Sequence, residues 1–217
     1  LSIRRQRQMC IRDRIKERTS YSKMLEVVKL ELGKLINDFL IPDFGFSDKE
    51  IALFFSGGRG YHIHIRAPEV LQLESQERRE IVDYLTGRGL DVSGFLRERV
   101  VGGEFGTRRR GEERSYARGL RIPAFSEAGW RGRINRAIVE HFQELRNKSE
   151  AEAIAELRKF GVKEKDAIRA YSALKKPKAL ENLMNGNLDF FKKNEAFWET
   201  LMGQLINKVK VKIATTT

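Results

Sequence analysis

The sequence predicts an α/β fold in which a small mixed sheet carries packed helices and a helical insertion. Two five-residue segments around a glycine-rich turn, Ile51-Ala-Leu-Phe-Phe55 and Tyr61-His-Ile-His-Ile65, predict the sheet. Apolar residues at three- and four-residue spacing through 20–41 and much of 134–208 predict the helices. With 41% hydrophobic and 33% charged residues among 217, the chain holds enough apolar surface for one large domain or two small ones. No apolar run reaches the roughly 20 residues of a membrane span, and none reads as a secretory signal. A single cysteine, Cys10, excludes a disulfide framework and a zinc site built mainly from cysteines. These features point to a reducing, cytoplasmic compartment.

In chain order, residues 1–14 (LSIRRQRQMCIRDR) show no periodicity and read as a non-native or disordered leader. They resemble a translated adapter sequence and are set aside, Cys10 included. Leu25, Val28, Leu32, Leu35, Ile36 and Phe39 form one stripe of a helix over 20–41, capped by Ser20 or Ser22 and ended by Pro42. Ile51–Phe55 reads as a buried strand. Tyr61–Ile65 alternates, with Ile63 and Ile65 on one face and His62 and His64 on the other, so the pair predicts a hairpin. Ser75 is the expected cap of a helix over 76–86, closed by Gly87. Residues 102–132 hold seven of the eighteen glycines and predict a long irregular excursion. A mainly helical region follows over 134–208. It starts with a helix from Ile134 to Asn147, then a second opened by a Ser149/Glu152 capping box and ending near Phe160-Gly161. Further helices are expected over 163–174, 177–184 and 190–208, then a strand through Val209, Val211 and Ile213. Without a closing element after it, the chain reads as cut at its C-terminus as well as its N-terminus.

The formal charge is +12, and it is concentrated. Residues 1–20 carry seven cations against Asp13 and Glu17, and residues 97–136 carry eleven arginines against five glutamates. A focused basic surface points to a polyanion, most often nucleic acid. In 97–136, Arg108, Arg109, Arg110, Arg131 and Arg133 lie among Phe105, Tyr116, Phe125 and Trp130. Cations for phosphates interleaved with aromatics for base stacking suit a single-stranded template. The alternative is that the aromatics plug the loop onto the domain and the arginines are solvated.

Phe55-Ser56-Gly57-Gly58-Arg59-Gly60-Tyr61-His62 carries the clearest chemistry. Glycines at 57, 58 and 60 permit positive φ and close approach of a ligand to backbone N–H groups. Arg59 supplies a planar fork matched to phosphate oxygens. Ser56 and His62 add donors on either side. This is a triphosphate-binding constellation, though not a P-loop, since no Gly-Lys-Ser/Thr and no helix follow. A glycine turn with one surface arginine and one satisfied histidine would present the same residues.

Ser-Gly-x-Arg-Gly-x-His resembles the second signature of archaeal and eukaryotic-type DNA primase catalytic (small) subunits. The similarity extends to Phe44-Gly-Phe46, Glu77-Arg-Arg-Glu-Ile81 and Gly129-Trp-Arg-Gly-Arg133 and is most specific over 44–66. It implies an archaeo-eukaryotic primase-like core, spanning 15–217 in part, in a nucleotidyltransferase that makes short primers on single-stranded DNA during replication. It further implies that Ser56, Arg59 and His62 grip the nucleotide phosphates, that Gly57, Gly58 and Gly60 shape the turn, and that His64 supports them. The implied partners are nucleoside triphosphates, a single-stranded DNA template and a primase large subunit. The implied cofactors are Mg²⁺ or Mn²⁺, with a structural zinc upstream.

The family's two-metal chemistry needs an Asp-x-Asp pair before the Ser-Gly motif and a further Asp after it. The aspartates here are 13, 38, 43, 48, 83, 91, 166 and 189, and no two make Asp-x-Asp. No catalytic or metal-binding residue is therefore expected in this chain, which is expected to be inactive alone. Two other readings stand beside the primase: a non-catalytic nucleic-acid-binding module, and a related end-joining repair polymerase domain.

Overall fold

The computed structural model describes residues 20–58, 60–101, 117–188 and 195–212. The predicted leader lies outside them, as do Arg59, residues 102–116 of the glycine-rich excursion and the far end of the predicted last strand. The described residues fall into two compact units, one within Leu1–Leu90 and Lys210–Thr217, the other within Asp91–Val209. The α/β class is as the sequence predicts. The strands, however, form two separate antiparallel pairs rather than one mixed sheet.

In the first unit, α1 (Tyr21–Lys34) begins where Ser20 Oγ accepts the Lys23 N–H at 3.5 Å. It runs on into a π-helical turn, Leu35–Leu40, after which the Ile41 N–H reaches back to the Ile36 carbonyl at 3.0 Å. This turn, rather than α1 itself, buries the stripe's end: Leu35, Phe39 and Leu40 are buried. Ser47 and Glu50 then form a capping box leading into β1 (Ile51–Phe55), which pairs antiparallel with β2 (Tyr61–Ile65).

Beyond the hairpin come α2 (Pro68–Leu71) and α3 (Ser75–Thr86). Glu74, not Ser75, caps α3, because the Glu77 carboxylate accepts the Glu74 N–H at 2.6 Å and Glu74 takes the reciprocal bond. Gly87 ends the helix at φ 64°. Tyr84 of α3 meets Phe39 and Phe44 edge-on, and its hydroxyl donates to Asp43 at 2.8 Å, fastening the turn after α1 to α3. No strand forms over 209–212. The Val211 N–H donates instead to the Leu85 carbonyl at 3.1 Å, and the Lys212 N–H to the Glu31 carboxylate at 2.9 Å.

The second unit holds β3 (Arg97–Val101), just before the predicted excursion, paired with β4 (Ala117–Arg121), within it. Next come α4 (Gly129–Asn147), α5 (Glu150–Lys159), α6 (Glu164–Leu174), α7 (Ala179–Met184) and α8 (Glu195–Val209). α4 starts five residues before Ile134. Gly132 allows the earlier start, since a Cβ there would lie 1.7 Å from the Glu127 carbonyl oxygen. The core is aromatic and aliphatic: Phe142, Phe197 and Trp198 pack together beside Ile134, Ile138, Leu145 and Met202, all fully buried. The Ser149/Glu152 box and the Phe160-Gly161 end of α5 fall as predicted.

A buried asparagine and a mostly buried histidine serve this core. Asn135, wholly buried, donates to the carbonyls of Pro123 at 2.7 Å and Leu183 at 2.8 Å. It ties the segment before α4 to α7, where Phe125 N–H and Ile122 N–H also bond the Met184 and Gly186 carbonyls. His141 stands edge-on to Phe142 and Phe160, with Nδ1 4.0 Å from Glu156. Burial pushes its imidazole below the ordinary value, against the opposing pull of Glu156 and Glu144.

Asn135→Leu leaves two buried carbonyls without their donor and is expected to cost about 2–4 kcal/mol. A lower denaturation midpoint at unchanged m-value would register it. For His141 the folded state binds its proton less readily than the unfolded state, so its contribution is complete above the unfolded pKa. That stability is lost as pH falls below about 6.5. Denaturation at pH 7.5 and 5.5 should therefore show a larger drop for the native chain than for His141→Gln.

Candidate functional site

The β1–β2 ladder pairs Ile51 with Ile65, Ala52 with His64, Leu53 with Ile63, Phe54 with His62 and Phe55 with Tyr61. Directly opposed residues share a face, so His62, His64, Phe54 and Ala52 lie together, and the isoleucines lie with Leu53 on the other side. Ring contacts agree: Phe54 meets His64 at 4.9 Å and Phe55 meets Tyr61 at 5.5 Å. The expected burial of β1 does not hold. Leu53, Phe54 and Phe55 are 46%, 45% and 50% exposed, and among the described residues the sheet that holds them has two strands only, too few to bury a strand on both faces.

The turn is closed at its stem by two bonds. Ser56 N–H donates to the Gly60 carbonyl at 3.0 Å, and Gly60 N–H to Ser56 Oγ at 3.2 Å. Gly57 stands at φ 75°, a conformation that excludes most side chains, and an added Cβ at Gly57 or Gly58 would have nothing within 4 Å. The tip is thus open to an approaching ligand. A further bond reaches it from α1, where the Tyr21 hydroxyl donates to the Gly58 carbonyl at 2.6 Å. His62, exposed, sits two residues past the turn. The structure therefore brings Ser56, Gly57, Gly58, Gly60 and His62 onto one short hairpin, with His64 one pair further along the His62 face. Arg59 lies outside the described residues.

In the basic segment, Arg108, Arg109 and Arg110 lie outside the described residues. Arg131 donates to Glu127, whose carboxylate also accepts the Ala124 N–H at 2.6 Å. Arg131 first, then Ala124, hold the Glu127 carboxyl below the usual range. Arg133 is 5% exposed with its guanidinium 5.5 Å from the Trp130 ring, and Arg136 donates to the Phe125 carbonyl at 2.9 Å. In this arrangement Arg131 and Arg133 brace the start of α4, the Arg131 side chain remaining 33% exposed. The same aromatics and carboxylate that flank them in sequence engage them in space.

Among the described residues no group of three or more His, Cys, Asp or Glu is placed to hold a metal ion. The donor set present does not fit a pair of divalent ions or a zinc site. Also among the described residues, no helix is long and apolar enough to cross a membrane. Tyr21 and Asn135 went unread in the sequence. Tyr21 acts across 37 residues, and a lone asparagine between Ile134 and Arg136 carries no periodic signal.

Comparison with known proteins bears on this arrangement. The chain matches the family described as DNA primase small subunit over residues 11–213, beginning within the stretch set aside as a leader. It is 42% identical over 189 residues to the DNA primase small subunit PriS of Methanothrix thermoacetophila, covering 87% of this chain and 46% of that protein. Against the PriS of Methanococcoides burtonii it is 37% identical over 196 residues, 89% of this chain and 48% of that one. With the PriS of Methanosarcina barkeri, 88 residues are 62% identical, 41% of this chain and 21% of the relative. The chain thus spans about half the length of the first and second of these relatives. No solved structure matches it.

Proposed function

The chain belongs to the DNA primase small subunit family, and from that we propose that it carries the nucleotide-gripping part of a DNA-directed nucleotidyltransferase that makes primers on single-stranded DNA during replication. The hairpin loop carries this reading. Its glycines leave the tip open, and Ser56 and His62 stand at its two ends. The polyphosphate of a nucleoside triphosphate would lie across the tip, with Arg59 as the bidentate cation and the Ser56 hydroxyl and His62 imidazole as flanking donors. His64, beside Phe54, keeps the histidine face in order.

The two-metal chemistry of nucleotidyl transfer needs grouped carboxylates to hold the ions, and none are so grouped among the described residues. The hairpin's residues bind and orient the nucleotide. Template contact falls to Arg108, Arg109, Arg110, Arg131 and Arg133, and a primase large subunit is the protein partner.

Two outcomes test the reading. Arg59→Ala should weaken ATP binding roughly 10- to 100-fold, as loss of a charge-assisted bond worth about 1.5–3 kcal/mol implies; equal affinity by calorimetry would remove Arg59 from the site. The 217-residue chain should bind ATP yet fail to extend a primed template with either Mg²⁺ or Mn²⁺. Extension products on a sequencing gel would show that carboxylates here suffice.

A further inference from the structure

The glycine loop is secured at its stem by Ser56 and Gly60, but two of its three glycines lie at the tip. Glycine loses more conformational freedom on ordering than any other residue. A loop so composed is open to phosphate and, for the same reason, poorly fixed. Something must hold the tip if it is to meet a ligand without a large ordering cost on binding.

The first residue of α1 does this. Tyr21 Oη donates to the Gly58 carbonyl at 2.6 Å, a short bond between groups 37 residues apart. Its placement follows from the helix start: Ser20 caps α1, so Tyr21 occupies the first helical position. Tyr21 is 54% exposed, so packing does not account for its placement, and its hydroxyl bonds the loop. A peptide unit is planar, and fixing its carbonyl fixes the whole plane. The carbonyl oxygen is also the one backbone group that would repel a phosphate oxygen, and here a donor already occupies it.

We propose that Tyr21 is a positioning residue for the phosphate-binding loop: its hydroxyl holds the Gly58 peptide in the orientation that admits a polyphosphate, without touching the nucleotide. This rests on the reading of the loop as a phosphate site.

The test titrates the full chain, Tyr21→Phe and Arg59→Ala with ATP and with inorganic tripolyphosphate, and follows the denaturation midpoint of each. Tyr21→Phe should weaken both ligands about three- to tenfold at an unchanged midpoint, the effect of one neutral hydrogen bond. It should also speed amide exchange at Gly57, Gly58 and Gly60 while the β1–β2 amides exchange as before. Equal ligand affinity in Tyr21→Phe, with Arg59→Ala impaired, overturns the role of Tyr21 and leaves the phosphate site standing. A midpoint that falls along with affinity also overturns it, as a structural effect. If the native chain binds neither ligand, or Arg59→Ala binds as well as the native chain, the phosphate site itself falls and this inference with it.

Discussion

Phe55 standing opposite Tyr61 is the pairing on which the site depends. It leaves Ser56 to Gly60 to make the turn, closes Ser56 N–H onto the Gly60 carbonyl, and sets His62 beside Phe54. Strand side chains alternate with period two, so a slip of one residue would carry His62 to the opposite face and bring Ile63 in its place. The run Ile51–Phe55 is apolar throughout and resists no such slip by alternation. The turn pins the register instead, through Gly57 at positive φ and the stem bonds, and the Arg66 N–H continues the ladder to the Glu50 carbonyl at 2.8 Å. The glycines therefore fix strand pairing as well as opening the tip, and the two demands fall on the same residues.

The basic segment shows how far charge counting reaches. Eleven arginines against five glutamates locate a positive stretch, but a count does not assign each guanidinium a destination. Arg131, Arg133 and Arg136 face Glu127, Trp130 and the Phe125 carbonyl. These contacts brace the residues before α4, which Asn135 fastens to α7 from the other side. A guanidinium held against an indole or bonded to a carboxylate must give up that contact to reach a phosphate, so its contribution to nucleic-acid affinity is reduced by what it leaves behind. A charge count thus does not tell which arginines brace the fold, and the three-dimensional arrangement shows it for Arg131, Arg133 and Arg136.

Local rules made most of the helical architecture legible. The Ser149/Glu152 box, Gly87 and Gly161 mark helix ends through backbone needs met within a few residues. The hairpin and its two faces were legible for the same reason: glycine-rich turn chemistry and the period-two alternation of β2 are short-range. What escaped depended on distant partners. β3 and β4 lie on either side of the glycine-rich stretch, and neither Arg97–Val101 nor Ala117–Arg121 is apolar enough to read as a strand alone. The strand expected after Val209 had the right alternation, yet its described N–H groups are taken by Leu85 and Glu31. Within the site, Ser56, the glycines and His62 were readable from the motif, whereas Tyr21 was not, since its hydroxyl finds Gly58 only once α1 and the hairpin are both formed.

In the proposed reading, binding and catalysis separate physically. Donors on the hairpin would recognise a polyphosphate in its ground state, and interactions equal in ground and transition states lower the concentration needed for occupancy without accelerating the reaction. Acceleration of nucleotidyl transfer requires groups that respond to charge developing at the α-phosphorus and on the departing pyrophosphate. On that reading the hairpin would grip the tail of the nucleotide, remote from the attacking hydroxyl, and among the described residues no carboxylate cluster stands to place cations at the reacting centre. A loop of this kind supplies binding energy that a complete active site converts into orientation. Its rigidity then matters more than its strength, because an ill-fixed tail lets the α-phosphorus wander from the line of attack.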